Sequence, residues 1–339
     1  MPFLQSCPPP GDFYQPIENR VTFRDLPFAI YIPILFTKFD IQDYNLTDSI
    51  SIVEMDEIFQ KSRSEIESYT EGIPEPVLMA ATHALKFKNW AVPNYNYWLN
   101  HNTLGVYESY PISQIGAFFN TLRFEGILTG YAQIITNPIG WVDRYKGDLI
   151  DLKGVAIRAY PTIFNDYYWN QENFPVIDKQ SLVNIQHIFK EIIEKDNKKI
   201  NLACSRLENS FYRNREGDRV IDIVIGLESI LSDGEKSELT HKLSLRAAFL
   251  LQYSSLEETK YDIFNNMKAI YDYRSAIVHG ESQSKLDKKR YISKKEVTKT
   301  VVEVAESYLK ECIKVLIQNA DFLNAKNIDE KLILDYSEK

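Results

Sequence analysis

Cysteine is scarce in this chain, and the few cysteines present are far apart. Only three occur in 339 residues, namely Cys7, Cys204 and Cys312, and no two of them have CxxC spacing. An odd number of distant cysteines argues against a disulfide framework and against a structural zinc site. We therefore expect a protein of the reducing cytoplasm that carries no metal.

Long hydrophobic runs and a basic leader are also missing. The amino terminus has no basic region followed by an apolar stretch, so we predict no secretory signal. The longest early apolar stretch, residues 26–36, contains two prolines and is too short to span a bilayer. We interpret it as a β-strand and expect no membrane partner.

Positive charge is in deficit, because 39 lysines and arginines face 47 aspartates and glutamates, for a net charge of −8. A chain of this kind does not bind nucleic acid over its whole surface, so any RNA contact requires a local basic patch. The phosphate loop and a GxGxxG motif after a strand are absent as well. We therefore predict no cofactor.

The apolar content is ample, since 44% of the residues are hydrophobic and 13% are aromatic, which suffices for one large or two medium cores. Residues 1–177 hold all four tryptophans and nine of the thirteen glycines, a composition typical of strands and turns. Short β-branched and aromatic runs predict strands at 21–23, 28–35, 126–135 and 154–158. Helices are predicted at 49–68 and 76–86.

The second half has a different pattern, with apolar residues repeating every three to four positions. Six helices with short connections are predicted, at 178–193, 200–212, 219–231, 239–253, 256–279 and 294–319. The third is apolar nearly all round, so we expect it at the centre of a bundle. The predicted fold class is α+β, with a mixed, strand-rich domain over residues 1–177 and an all-α bundle over residues 178–339.

The decapeptide YDYRSAIVHG, residues 271–280, closes the fifth predicted helix and carries the strongest chemical signal. Arg274 is the only arginine with a histidine five residues later, His279, and Ser275 and Gly280 directly follow these two residues. Arg274 lies on an apolar stripe, where a guanidinium needs anionic or carbonyl partners. Gly280 predicts a left-handed helix end, so His279 should lie where the helix dipole favours an imidazolium. Tyr273, off the stripe, is expected in solvent.

Two further charges, Glu228 and Arg246, lie on the apolar stripes of the third and fourth predicted helices. One interpretation is a structural network in which Glu228 bridges Arg246 and Arg274 and fixes the packing of three helices. The other is that one guanidinium stays unpaired and binds a phosphate through two parallel hydrogen bonds. We favour the supporting role for Glu228 and Arg246, and the phosphate-binding role for Arg274.

A basic segment follows the decapeptide directly. Residues 285–299 contain seven basic residues and two acids. Such a charge run is usually a solvated linker. Its position beside Arg274 and His279 also makes it a candidate for contacts to an RNA backbone. The residues concerned are Lys285, Lys288, Lys289 and Arg290.

The first half offers weaker signals. Two aromatic clusters, at residues 95–98 and 167–170, fit stacking on bases or a ligand, but a role in the core is favoured. His83 is interpreted as a residue on the face of a helix and His101 as a loop residue. The sequence of the first domain therefore predicts a strand-rich architecture but no catalytic or binding site.

The decapeptide, with the upstream segments DRVIDIVIGLESIL and KLSLRAAFLL, resembles the Apea-like branch of the HEPN superfamily over about residues 180–320. That family is defined by an R-polar-x3–5-H motif on an α-helical bundle. The resemblance implies RNA cleavage without a metal, in which the ribose 2′-hydroxyl attacks the adjacent phosphorus. It implies that His279 acts as acid or base, that Arg274 stabilises the anionic transition state, and that Ser275 binds the phosphate or orients the imidazole.

Helix geometry restricts how this motif can act. Five residues on a regular helix separate two side chains by about 140°, so Arg274 and His279 cannot reach one phosphate from a single uninterrupted helix. Either the last turn unwinds, or two chains share the site. The resemblance implies the second arrangement, a homodimer in which the two motifs face each other.

Two functions remain open on the sequence. The first is a ribonuclease effector, toxin-like or directed against phage, whose N-terminal domain senses a trigger or restrains the bundle. The second is a non-catalytic HEPN module that dimerises and binds RNA or nucleotide, with specificity in the N-terminal domain.

Overall fold

The structure is a computed structural model that describes residues 10–66, 73–95, 104–167, 174–234, 238–294 and 297–334. The chain divides into two compact units. The first comprises residues 1–115 and 127–183, and the second comprises residues 116–126 and 184–339. A β-sheet dominates the first unit and helices dominate the second, so the predicted α+β class is confirmed.

A six-stranded antiparallel sheet forms the framework of the first unit. Its strand order is β3-β4-β5-β1-β6-β7. Two short strands, β2 and β8, pair with each other in parallel outside this sheet. The strands of this unit are β1 Asp25–Pro33, β2 Lys38–Phe39, β3 Asp43–Asn45, β4 Ile50–Glu54, β5 His83–Pro93, β6 Tyr131–Pro138, β7 Lys153–Ala159 and β8 Val176–Ile177.

Strand β1 lies between β5 and β6 and is buried along most of its length. Burial of both alternating side-chain sets explains why its sequence is an unbroken apolar run. The strand predictions at 28–35 and 154–158 are confirmed by β1 and β7.

Five helices are described in the first half of the chain. They are α1 Pro10–Thr22, α2 Glu57–Ser64, α3 Glu75–Met79, α4 Ile112–Phe124 and α5 Phe164–Tyr167. Residues 116–126, which include most of α4, belong with the second unit. There the Asn120 side-chain amide donates to the Cys204 carbonyl at 3.2 Å.

Three predictions in the first half are wrong. Residues 21 and 22 end helix α1 instead of starting a strand. The region predicted as one helix, residues 49–68, contains strand β4 followed by helix α2. Helix α2 begins after Asp56, whose side chain caps it by accepting a hydrogen bond from the Phe59 amide. The predicted helix at 76–86 ends with α3, since its last residues pair with β1 and β4 as part of β5.

The six predicted helices of the second half are all present, with two short additions. The helices are α6 Lys179–Lys195, α7 Lys198–Tyr212, α8 Glu216–Leu231, α9 Leu239–Leu250, α10 Lys260–Val278, α11 Gln283–Lys289, α12 Val301–Gln318 and α13 Ala325–Leu334. A hairpin of β9 Tyr291–Lys294 and β10 Val297–Thr300 replaces the predicted start of the last long helix. Helix α12 begins after Thr300, which forms a capping box with Glu303.

Helix α8 is the central helix of the second unit, as its sequence predicts. It contacts α7, α10 and α12, and its residues Val220, Ile223, Val224 and Leu227 are fully buried. At Gly226 an added Cβ would lie 2.8 Å from the Leu309 side chain of α12. The glycine therefore lets α12 pack close to α8.

Candidate functional site

Helix α10 presents the decapeptide at its carboxyl end. The helix starts at a Thr259 cap, whose hydroxyl accepts a hydrogen bond from the Asp262 amide at 3.1 Å. Its inner face is fixed by Ile263, Met267 and Ile270, which are fully buried. Residues 271–278 are thus the last two turns of a well-anchored helix.

The helix ends in a regular Schellman motif. The Gly280 backbone has φ +66°, its amide donates to the Ile277 carbonyl at 3.1 Å, and the Glu281 amide donates to the Ala276 carbonyl at 2.9 Å. The His279 amide still donates to the Ser275 carbonyl at 3.0 Å. The predicted role of Gly280 is confirmed, and the last turn does not unwind. Arg274 and His279 therefore leave the helix about 140° apart.

The Arg274 guanidinium differs from those of Arg123 and Arg219, whose Nε atoms are also buried without a hydrogen bond, because these two arginines form ion pairs. The residue is half-buried, and its Nε is shielded from water without a hydrogen-bond partner among the described residues. No ion pair in the described ranges involves it either. Because this Nε is shielded from water, an anion would reach Arg274 through the terminal nitrogens of the guanidinium, which suit carboxylates and phosphates.

Tyr271 interacts electrostatically with both Arg274 and Glu228. Tyr271, one turn earlier, is buried, and burial raises the pKa of its hydroxyl strongly. The Glu228 carboxylate of α8 raises that pKa further, whereas the Arg274 cation opposes the rise. The structure therefore brings Glu228, Tyr271 and Arg274 together. Tyr271 was not singled out from the sequence, although its place three residues before Arg274 on the same helix face could have indicated the contact.

Arg246 on α9 has different partners from those expected. Its guanidinium is 1% exposed and binds both oxygens of Asp329, at 2.8 and 2.7 Å. It also binds Asp233 at 2.6 Å and the Leu231 carbonyl at 2.8 Å. The hydrogen bond to Asp329 is the main reason why the pKa of Arg246 is raised. The expected bridge from Glu228 is absent from the described contacts and is corrected to Asp233 and Asp329.

Ser275 and His279 differ in accessibility. Ser275 is half-buried, whereas His279 is exposed as the last residue before the left-handed Gly280. A ligand can therefore reach the imidazole from solvent, while the Arg274 guanidinium lies partly inside the second unit. The structure keeps the two side chains of one chain apart.

The four basic residues proposed for RNA contacts fall into two pairs. Lys285 and Lys288 on α11 are exposed and form no ion pair within the described part of the chain. Lys289 lies 3.4 Å from Glu281, and Arg290 lies 2.7 Å from Glu216 in the first turn of α8. Lys285 and Lys288 thus keep their charge available, whereas Lys289 and Arg290 hold the segment on the bundle.

Tyr273 is buried, with 5% of its surface exposed, so the expectation that it is solvated is wrong. Burial raises the pKa of its hydroxyl, and Glu216 raises it further, whereas the nearby Arg290 opposes the rise. Helix α11 packs against α10. It therefore buries a side of α10 that the spacing of the apolar residues in α10 predicts to be exposed.

The histidines of the first unit offer no comparable site. His83 lies in β5, not on a helix, and is buried with its Nε2 2.8 Å from the Ile41 carbonyl and its Nδ1 2.9 Å from the Thr82 hydroxyl. Both ring nitrogens are engaged, which is typical of a structural histidine. His101 and most of the two aromatic clusters lie outside the described residues.

No family model, curated protein or solved structure matches this chain. Across the described residues, no helix combines the length and apolar character needed to cross a membrane. Nor do these residues include three or more His, Cys, Asp or Glu side chains grouped to hold one metal ion.

Proposed function

We propose that this protein is a metal-independent endoribonuclease of the HEPN type. The observation that carries the proposal is the half-buried Arg274 guanidinium, which forms no ion pair among the described residues, on a helix that ends with an exposed histidine. An arginine cannot titrate and suits a fixed positive charge, whereas a histidine can exchange a proton near neutral pH. These are the two capabilities that RNA transesterification requires.

The reaction begins when a base removes the proton of a ribose 2′-hydroxyl. The oxygen attacks the adjacent phosphorus, the bond to the 5′-oxygen of the next nucleotide breaks, and that oxygen takes up a proton. The products are a 2′,3′-cyclic phosphate and a 5′-hydroxyl. His279 supplies the base or the acid, and Arg274 stabilises the charge that develops on the phosphoryl oxygens.

The regular end of α10 supports a site that is shared by two chains. With the last turn intact, Arg274 and His279 of one chain diverge, so each phosphate meets the arginine of one chain and the histidine of its partner in a two-fold dimer. Ser275 donates to the phosphate or orients the imidazole. Lys285 and Lys288 contact the RNA backbone on either side.

The biological setting belongs to the same proposal. The bundle acts as a toxin-like or anti-phage effector in the cytoplasm, and the N-terminal domain senses a trigger or holds the bundle inactive. This setting is supported by the resemblance of the decapeptide region alone.

A second function is a non-catalytic HEPN module that dimerises and binds RNA or nucleotide. The position of Glu228 favours it, because a carboxylate close to Tyr271 and Arg274 offsets part of the charge that a scissile phosphate would meet.

The deciding experiment is incubation of the full chain with total RNA in EDTA. We expect cleavage to persist in the chelator and to fall by about 10²-fold or more in both Arg274→Ala and His279→Ala proteins. Arg24→Ala and His187→Ala are matched controls, since both side chains are exposed and neither residue belongs to the decapeptide or to the basic segment that follows it.

The products provide an independent readout. RNA with 2′-deoxyribose at the cleaved position should resist cleavage, and the product should carry a cyclic phosphate. Cleavage that survives in either motif variant would contradict the proposal. Intact RNA under every condition, with binding retained and lost on Arg274→Ala, would establish the second function instead.

A further inference from the structure

An apolar groove lies on the second unit, between α9, α10 and α13. Leu245, Ala248 and Phe249 of α9 form one side, and Phe264 of α10 and Leu332 of α13 complete it. Its cavity volume is about 400 Å³. This volume lies within the range of small-molecule pockets, about 300–1,000 Å³.

Two lysines stand at this groove without acidic partners. Lys260 and Lys331 both line it, and neither forms an ion pair in the parts of the chain that are described. Each ammonium group lies over an aromatic ring instead, 5.9 Å from the centre of Phe249 and 4.9 Å from the centre of Phe322. Aromatic faces attract cations but do not neutralise them.

A third ammonium group adds to the local field. Lys268 lies 5.5 Å from the centre of the Phe264 ring, which is part of the groove wall. Arg246 pairs with both Asp233 and Asp329, so this cluster has a net negative charge, but none of its three residues lines the groove. In a chain with a net charge of −8, the two charged residues that line this groove are thus both lysines.

We propose that this groove binds a free medium-chain fatty acid, with the alkyl chain against the apolar walls and the carboxylate at Lys260 and Lys331. The apolar lining supplies affinity for the chain, since each buried methylene strengthens binding by about fourfold. The lysines select an anion, because an amine of the same length would meet two positive charges. The groove is a separate site from the decapeptide, as Phe264 lies about 15 Å along α10 from Arg274.

Binding of decanoate to the full chain, measured by titration calorimetry below its micellar concentration, tests the proposal. We expect one saturable site per chain, affinity that rises about fourfold per methylene from octanoate to decanoate, and no binding of decylamine. The combined Lys260→Gln and Lys331→Gln substitutions should weaken decanoate binding by about tenfold or more and leave decanol binding unchanged.

Leu245→Trp tests the groove itself. Leu245 is 39% exposed, so a larger side chain can be accommodated without disturbing the core, and it should abolish binding of both decanoate and decanol. Lys198→Gln, at an exposed lysine of α7, is the matched control and should bind as the wild type does. Thermal unfolding of each variant establishes that it is folded.

Three results would overturn the proposal. The first is the absence of saturable decanoate binding to the folded wild type. The second is equal binding of decanoate and decylamine, which would show that the lysines do not select charge. The third is a wild type that is dimeric and does not bind decanoate, together with a Leu245→Trp variant that is monomeric. This result would mean that the groove is a contact between two copies of the chain.

Discussion

Arg246 and Arg274 lie on neighbouring helices and have opposite surroundings. Every nitrogen of Arg246 has a partner, whereas the Nε of Arg274 has none among the described residues. Hydrogen bonds to two carboxylates and one carbonyl use four of the five N–H groups of Arg246 and hold it in one place. Arg274 forms no ion pair among the described residues, which makes it the better candidate for phosphate binding.

Arg246→Met should destabilise the second unit. It leaves Asp233 and Asp329 facing each other without their cation, a change that costs about 3–5 kcal/mol when both acids are buried. The Asp329 side chain is 43% exposed and can be rehydrated, so we expect about 2 kcal/mol in urea unfolding. The exposed Arg215→Met should change the free energy of unfolding by less than about 0.5 kcal/mol. Equal effects of the two substitutions would contradict the structural role of Arg246.

Asp143 makes the stability of the first unit depend on pH, because its pKa is lowered in the folded chain. Burial alone would raise the pKa of its carboxyl, but hydrogen bonds from Lys153 and Arg20, each at 2.5 Å, outweigh burial and lower the pKa. The unfolded chain therefore binds the proton more readily than the folded chain. The stabilisation is complete above the unfolded pKa, about 4, and is lost as the pH falls through the lowered folded pKa.

Asp143→Asn should remove this acid-dependent part of stability. At pH 7 we expect a loss of about 1.5 kcal/mol, and between about pH 5 and pH 2 the variant should lose less stability than the wild type does. Urea unfolding at a series of pH values measures both effects. The exposed Asp48→Asn is the control, and a variant curve parallel to that of the wild type would refute the assignment.

At the scale of elements, local sequence patterns were sufficient to predict helix α10 but insufficient to predict strands β4 and β5. The periodicity of Ile263, Met267 and Ile270 and the terminating Gly280 predicted this helix and its end, because caps and faces depend on residues a few positions apart. The strands β4 and β5 form by pairing with each other and with β1, over separations that no local pattern encodes.

Distance along the chain also explains the wrong partner for Arg246. Glu228 was the one acid that the sequence placed on a buried stripe, together with Arg246 and Arg274, so it was predicted as the partner of both arginines. Asp329 lies 83 residues after Arg246, on α13, a helix that the sequence did not predict. The need for an acidic partner could be predicted, whereas its identity required the packing of α13 against α9.

The end of α10 should depend on the backbone of residue 280 rather than on packing. Gly280 has φ +66° with nothing within 4 Å of an added Cβ, so Gly280→Ala introduces backbone strain of about 1 kcal/mol and no clash. Gly280→Asn should cost about half as much, since asparagine tolerates this conformation. Hydrogen exchange of the Gly280 and Glu281 amides should accelerate more in the alanine variant. Equal exchange in both variants would mean that the Schellman motif does not depend on residue 280.

At the scale of the whole molecule, a chain with this acidic balance needs a local basic region for the RNA binding that we propose. The net charge is −8, yet Lys285 and Lys288 on α11 are exposed and unpaired in the described part of the chain, close in sequence to Arg274 and His279. Binding follows the local field, so in the proposed nuclease RNA would be attracted to this region. Two such regions facing each other in a dimer would form one basic cleft in an otherwise acidic surface.

A mixing experiment distinguishes a site shared by two chains from a site within one chain. Arg274→Ala and His279→Ala proteins should each be inactive alone. In a mixed dimer, one composite site lacks both groups and the other has both intact, because its arginine and its histidine come from different chains.

Random reassortment makes about half of the dimers mixed, each with one working site of two, so the mixture should recover about a quarter of the wild-type activity. Unfolding the two variants together in urea and refolding them permits exchange of chains, and the rate of RNA cleavage measures the recovery. The double variant Arg274→Ala/His279→Ala, mixed with wild type, provides the control for exchange. No recovery in freely exchanging chains would place both groups of each site on one chain, and that outcome is incompatible with the intact last turn of α10 and with the dimer inferred from it.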